Sequence, residues 1–140
     1  MARFVVDAAV LLKWFIPEEN SGQAARLLDG GNELLAPDTI LTDAGKAICT
    51  KTRAGELGVE EAVVVLEAVR SAPVWLQPAD SLLEPALRIA AQMDRPMGDG
   101  LVLALAVASD CRLVTASRKF YDGVQGTPFA AHVKWVGDLR

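Results

Sequence analysis

Short apolar runs alternate with longer segments of helical periodicity along this chain. The runs predict strands at residues 3–7, 34–37, 74–76 and 112–115, with a candidate fifth strand at residues 133–135. Apolar residues three and four positions apart predict the helices, which cover residues 10–16, 21–30, 39–54, 59–70, 80–93 and 101–108. We predict Asp38 as the N-cap of the third helix. Alternating strands and helices indicate an α/β sandwich with a mostly parallel sheet.

Three aspartates lie in stretches that are otherwise apolar. Asp7 ends the first predicted strand, Asp43 lies among apolar neighbours in the third helix, and Asp99 precedes the most apolar segment of the chain. A buried carboxylate costs on the order of several kcal/mol unless it is hydrogen-bonded, neutralised or bound to a cation. One hypothesis is that the three converge on a metal ion at the carboxyl ends of the strands, where parallel sheets bind ligands.

Each aspartate also has a purely structural explanation. Asp7 and Asp99 are placed to cap helices by accepting hydrogen bonds from free backbone N–H groups. Asp43 has Lys46 three residues later as a surface ion-pair partner, a contact worth roughly a few tenths of a kcal/mol. The residues alone leave both interpretations open.

Composition excludes several classes of protein. The 140 residues suffice for one domain, and the net charge of −4 excludes a polyanion binder held by bulk charge. No apolar run approaches the roughly 18 residues that cross a bilayer. Asp7 and Lys13 interrupt the region that a signal peptide would need, so we expect a cytoplasmic protein. The single histidine, His132, excludes zinc sites built from several histidines, and we expect Cys49 and Cys111 to be buried free thiols.

Four segments, taken together, resemble PIN-domain proteins, specifically the VapC-type ribonuclease toxins of bacterial toxin–antitoxin pairs. In the family's order they are residues 5–15 with 17–19, 34–38, 98–106 and 113–120. The resemblance implies a single PIN domain over residues 1–140, with a three-layer α/β/α fold and a central sheet of four to five strands. It also implies a Mg²⁺- or Mn²⁺-dependent endoribonuclease that hydrolyses RNA by a metal-activated water, forms a homodimer and is inhibited by a cognate antitoxin protein.

The same resemblance assigns the site residues. Asp7 and Asp99 match the family's first and third acidic metal ligands, and Asp43 stands at the second acidic position, where the family has glutamate. We therefore expect Asp7, Asp43 and Asp99 to be the catalytic and metal-binding residues.

Three departures from the family's pattern keep an alternative open. Lys46 stands where the family has asparagine, Ser117 replaces a fourth acidic residue, and Gly98 replaces an aromatic residue. The alternative is a degenerate PIN domain, weakly active or inactive, that binds RNA or an antitoxin-like partner without cleaving RNA.

Positive side chains near these segments are candidates for contacting an RNA backbone. They are Lys13, Lys46, Arg53, Arg118 and Lys119. We expect Trp14 and Trp75 to lie in the core rather than to stack on bases, because no basic cluster surrounds either residue.

Phosphoryl transfer through Asp7 as a nucleophile is a further alternative. Haloacid-dehalogenase-like proteins place a second aspartate two residues later, where this chain has Ala9. Receiver domains need an acidic pair before the end of the first strand, and this chain has Phe4, Val5 and Val6 there. The sequence therefore disfavours this alternative, and no G-x-G-x-x-G follows the first strand to bind a dinucleotide.

Overall fold

Strands and helices alternate along residues 2–140, the part of the chain described by the structure, a computed structural model. Within these residues there are five strands and seven α-helices. In chain order they are β1 (Ala2–Val6), α1 (Ala8–Lys13), α2 (Ser21–Ala25), β2 (Asn32–Pro37), α3 (Ile40–Arg53), α4 (Val59–Arg70), β3 (Trp75–Gln77), α5 (Leu83–Met93), α6 (Met97–Ala108), β4 (Arg112–Thr115), α7 (Arg118–Val124) and β5 (Val133–Trp135). No helix in this part of the chain is both long and apolar enough to cross a membrane.

The five strands form one sheet in the order β3-β2-β1-β4-β5, and every pair is parallel. The predicted α/β architecture is confirmed, and the candidate fifth strand is part of the sheet. The register places Val6 beside Val114 and Thr115 beside Trp135. Since β1 and β4 are neighbours, the segments that follow them, around Asp7 and Ser117, lie at the same edge of the sheet.

Helix α6 is the most buried helix and carries Asp99. Its residues 101–106 are all buried, and it packs against β1, β2 and β4 on one side and α5 on the other. Strands β1, β2 and β4 bury consecutive residues, which requires cover on both faces of the sheet. A Cβ built at Gly100 would lie 3.1 Å from the Cβ of Ala90 and closer still to the backbone of Ala86. Glycine at this position therefore lets α5 and α6 approach closely, which fixes the helix that carries Asp99.

Two expectations about burial were wrong. Cys49 is exposed rather than buried, and Cys111 is only half-buried. Trp75 is 68% exposed, because β3 is an edge strand, whereas Trp14 packs against the core and donates its indole N–H to the Ala24 carbonyl at 2.8 Å.

The starts of two helices also differ from the prediction. Helix α3 has Thr39, not Asp38, at its N-cap, because the Asp38 carboxylate instead accepts a hydrogen bond from the Ala79 N–H at 3.2 Å. Helix α6 begins at Met97 rather than after Asp99, which places Asp99 inside the first helical turn.

Candidate active site

All three predicted aspartates line one cleft at the carboxyl ends of the strands. The cleft has a volume of about 320 Å³, and Lys46 and Ser117 also line it. Asp7 comes directly from β1, Asp43 from the start of α3 and Asp99 from the start of α6. The fold therefore brings together side chains that lie far apart in the sequence, from Asp7 to Ser117.

Asp7 is held by hydrogen bonds on both carboxylate oxygens. Oδ1 accepts from the Val10 N–H at 2.9 Å, so Asp7 does cap α1, as one interpretation of the sequence had it. Oδ2 accepts from the Thr115 hydroxyl at 2.5 Å and from the Ala116 N–H at 3.3 Å. The pKa of Asp7 is raised to about 6. Burial is the largest cause, and the charge of Asp99 also raises the pKa, whereas the three hydrogen bonds lower it. Asp7 therefore both caps α1 and lines the cleft.

Thr115 is a site residue that the sequence prediction missed. It is fully buried, and its hydroxyl donates to Asp7 while accepting a hydrogen bond from the Ser117 N–H at 3.0 Å. Val6 pairs with Val114, so the next residues, Asp7 and Thr115, lie side by side. The signal in the sequence was a polar residue, Thr115, at the end of an apolar strand.

Asp43 lies against the start of α6. Burial raises the pKa of its half-buried carboxyl group, the charge of Lys46 lowers it and the charge of Asp99 raises it. A Cβ built at Gly98 would lie 2.9 Å from Oδ2 of Asp43. The carboxylate therefore occupies the space that a side chain at position 98 would need, so Asp43 can keep this position only while residue 98 is glycine.

Asp99 is paired with a cation from its own chain. Its Oδ2 accepts a hydrogen bond from Nε of Arg95 at 2.9 Å, and Nη2 of the same guanidinium lies 2.8 Å from that oxygen in an ion pair. The two side chains are only 23% and 16% exposed respectively, so water screens this ion pair weakly. Pro96, not Asp99, is at the N-cap of α6, so the capping interpretation of Asp99 was wrong. Sequence reasoning missed Arg95, because the four-residue spacing is informative only once the turn between α5 and α6 is known.

Ser117 uses its hydroxyl for local structure. The oxygen accepts a hydrogen bond from the Phe120 N–H at 3.2 Å and caps α7. The residue lines the cleft but contributes no negative charge there. The cleft thus holds three carboxylates, one of them neutralised by Arg95.

The oxygen atoms of the cleft fit a hard divalent cation. Mg²⁺ prefers oxygen ligands, keeps several waters and usually takes one or two carboxylates directly. Within residues 2–140 no three His, Cys, Asp or Glu side chains are close enough to share one ion, so the carboxylates do not form a closed cage. Both contacts of Arg95 use Oδ2 of Asp99, so Arg95 does not occupy Oδ1. Burial raises the pKa values of Asp7 and Asp43, so a nearby cation would stabilise the ionised form of both carboxyl groups.

Candidate positive contacts for RNA are divided between different surfaces. Lys46 lines the cleft and also a neighbouring groove beside α3 and α4, which contains Arg53. Lys13 is not available to contact RNA in this conformation, because its ammonium group donates to the Glu19 carbonyl at 2.7 Å and pairs with Glu18 at 3.5 Å.

Comparison with known proteins places this geometry in a family. The structure is similar to PAE2754 from Pyrobaculum aerophilum, with 21% identity, a TM-score of 0.65 and coverage of 96% of this chain and 91% of that one. It is also similar to VapC20 of Mycobacterium tuberculosis, a Sarcin-Ricin loop cleaving toxin, with 16% identity, a TM-score of 0.62 and coverage of 91% and 93%. A toxin–antitoxin complex from Klebsiella pneumoniae contains a third similar chain, with 16% identity, a TM-score of 0.58 and coverage of 96% of both chains.

At these identities the similarities concern the fold alone. No curated protein sequence matches this chain. A family description does match: residues 4–123 fit the PIN domain, and the matched region contains every residue described in the cleft. With its parallel sheet, its acidic cleft and this match over most of its length, the chain belongs to the PIN domain family.

Proposed function

We propose that this protein is a divalent-metal-dependent endoribonuclease of the VapC type, the toxin of a toxin–antitoxin pair. The observation that carries the proposal is the meeting of Asp7, Asp43 and Asp99 in one cleft of a PIN domain. The toxin role is supported by the fold shared with VapC20 and with the chain from the Klebsiella pneumoniae complex.

In this proposal the three aspartates have different tasks. Asp7 and Asp99 hold Mg²⁺ or Mn²⁺, and Asp43 orients the attacking water. A bound ion of this kind lowers the pKa of water and neutralises negative charge on a phosphoryl group. The Thr115 hydroxyl fixes the Asp7 carboxylate in one orientation, and Lys46 at the rim of the cleft contacts a phosphate of the RNA.

Two observations favour a second candidate function, a PIN domain that binds RNA or a protein partner without cleavage. Arg95 already pairs with Asp99, and a metal ion must compete with that contact. Ser117 supplies no charge and uses its hydroxyl to cap α7. Both features weaken a metal site without affecting binding elsewhere on the surface.

An RNA cleavage assay separates the two candidates. Purified protein is incubated with structured RNA in Mg²⁺, in Mn²⁺ and in EDTA, beside Asp7→Asn and a control, Asp110→Asn, which removes an exposed carboxylate. We expect metal-dependent cleavage by the wild type and by the Asp110 variant, and loss of cleavage with Asp7→Asn. Absence of cleavage by the wild type in either metal would leave the non-catalytic function.

We also propose a contact surface for the antitoxin. A groove of about 760 Å³ beside α3 and α4 has apolar side chains, Leu41 and Leu66, and a cationic rim, Lys46, Arg53 and Arg70. These features suit an amphipathic segment with acidic side chains. The groove meets the acidic cleft at Lys46, so a bound segment would also cover the cleft. Charge-reversing substitution of Arg53 is expected to weaken co-purification of the antitoxin, and unchanged co-purification would contradict this placement.

For the homodimer, we propose that exposed apolar side chains on β3 and α5 form the contact. Trp75 is 68% exposed and Leu87 is 60% exposed, and such side chains are candidates for an interface. Sedimentation velocity is expected to show a dimer that Leu87→Lys dissociates. A monomeric wild type would contradict the proposal.

A further inference from the structure

A cationic and aromatic cluster lies beside the acidic cleft. The guanidinium carbon of Arg118 lies 5.3 Å from the ring centre of Tyr121 and 5.1 Å from that of Trp135. The two ring centres are 6.0 Å apart. One positive, planar group thus lies against two aromatic side chains from different elements, α7 and β5.

The register places this cluster at the level of the cleft. Thr115, which holds Asp7, pairs directly with Trp135 in the neighbouring strand. Adjacent strands lie about 4.8 Å apart, so the backbones of Asp7 and Trp135 are roughly 10 Å apart, two strand spacings. Arg118 is the residue after Ser117, which lines the cleft. RNA with a phosphate in the cleft would therefore have a neighbouring nucleotide at the cluster.

The contacts within the cluster are too weak to explain it as a structural fastening alone. Arg118 is 61% exposed, and its ion pair with Asp122 at 3.2 Å is equally open to water. Exposed ion pairs and exposed cation–π contacts each contribute little to the stability of a fold. By contrast, Trp135 is fixed in place, since the backbone at Gly137 approaches its indole so closely that a Cβ would not fit. A fixed aromatic ring beneath a solvent-exposed guanidinium is suited to binding a ligand.

The chemistry of this arrangement suits an unpaired nucleotide. Aromatic rings and guanidinium planes stack on bases of any identity, and the charge of arginine pairs with phosphate. A base can reach such a surface only if it is not stacked inside a duplex.

We propose that Arg118, Tyr121 and Trp135 form a nucleotide platform that holds one unpaired nucleotide of the RNA next to the cleavage position. This inference rests on the proposed ribonuclease function and adds to it a binding subsite for one nucleotide that flanks the cleavage position. The three are binding residues and take no part in the chemical step.

The test compares Arg118→Gln with Lys119→Gln, which removes the adjacent exposed positive charge outside the cluster. Fluorescence anisotropy measures binding of a labelled single-stranded oligoribonucleotide and of a duplex, in EDTA so that no cleavage occurs. We expect Arg118→Gln to weaken single-strand binding about tenfold, with less than about a twofold effect on the duplex. Lys119→Gln is expected to weaken both RNAs equally and only slightly.

A second measurement addresses the aromatic residues. Single-stranded RNA is expected to quench the tryptophan fluorescence of the wild type, and Trp135→Phe is expected to remove most of that quenching. Thermal unfolding of each variant checks that the fold persists. In the cleavage assay, Arg118→Gln is expected to raise KM while kcat stays within about twofold, because uniform binding is lost.

The outcomes separate the platform from the proposed function. Platform-dependent binding by a protein that never cleaves RNA would support the platform and overturn the nuclease. Cleavage by the wild type, with unchanged RNA binding by Arg118→Gln, would support the nuclease and overturn the platform. Equal losses for Arg118→Gln and Lys119→Gln would identify bulk charge as the cause and overturn the platform, as would a wild type that binds neither RNA.

Discussion

The buried carboxyl group of Asp7 predicts an unusual dependence of stability on pH. Its pKa is raised from 3.8 to about 6 in the fold, chiefly by burial, so the folded protein binds this proton more tightly than the unfolded chain does. Stability must therefore fall as pH rises from about 4 to about 6, because the folded state retains a proton that the unfolded state has released. The raised pKa of Asp43 acts in the same direction.

The size of the effect follows from the shift. One pKa unit corresponds to about 1.4 kcal/mol, so ionised Asp7 costs the metal-free protein about 3 kcal/mol above pH 7. The free energy of unfolding should fall by about 2 kcal/mol between roughly pH 4.5 and pH 7.5. With a typical urea dependence of about 1–3 kcal/mol per molar, the midpoint of unfolding should drop by about 1 M over that range.

Urea unfolding in EDTA, followed by tryptophan fluorescence, measures this loss at several pH values. Asp7→Asn is expected to remove most of the pH dependence, and Asp110→Asn, at an exposed position, is expected to leave it unchanged. Mg²⁺ should restore stability at the upper end of the range, since an ion that binds only the folded state stabilises it. Equal pH slopes for wild type and Asp7→Asn would refute the argument that burial of this carboxyl group dominates.

Three further predictions concern residues in or directly before α6. Gly98→Ala is expected to displace the Asp43 carboxylate and to reduce RNA cleavage at least about tenfold, while the free energy of unfolding changes by less than about 1 kcal/mol. An activity assay measures the first effect and calorimetry the second. Full activity of the variant would contradict the close contact between Gly98 and Asp43. Gly100→Ala is expected to destabilise the protein by about 3 kcal/mol through overpacking between α5 and α6, and an unchanged melting temperature would contradict it. Arg95→Gln frees Asp99 and is expected to tighten Mn²⁺ binding about tenfold in isothermal titration, whereas weaker binding would show that Arg95 supports the site.

The sequence predicts the strands and most helices, because apolar periodicity reports directly on burial. It also selects Asp7, Asp43 and Asp99, which line one cleft, because a carboxylate in an apolar stretch needs a physical reason. Trp75 was misplaced, because nothing local to residues 74–76 tells which strand lies at the edge of the sheet. Arg95 and Thr115 were missed because their contacts depend on one loop conformation and on the pairing of distant strands.

The hydrogen bond between Thr115 and Asp7 also determines when the cleft can form during synthesis. It joins residues 108 positions apart, and β4 must pair with β1 before this hydrogen bond can form. Contacts between such distant residues form late, because a long loop must close first. A nascent chain that lacks its last quarter therefore cannot hold Asp7 in its final orientation. The cleft is therefore complete only after β4 has joined the sheet beside β1.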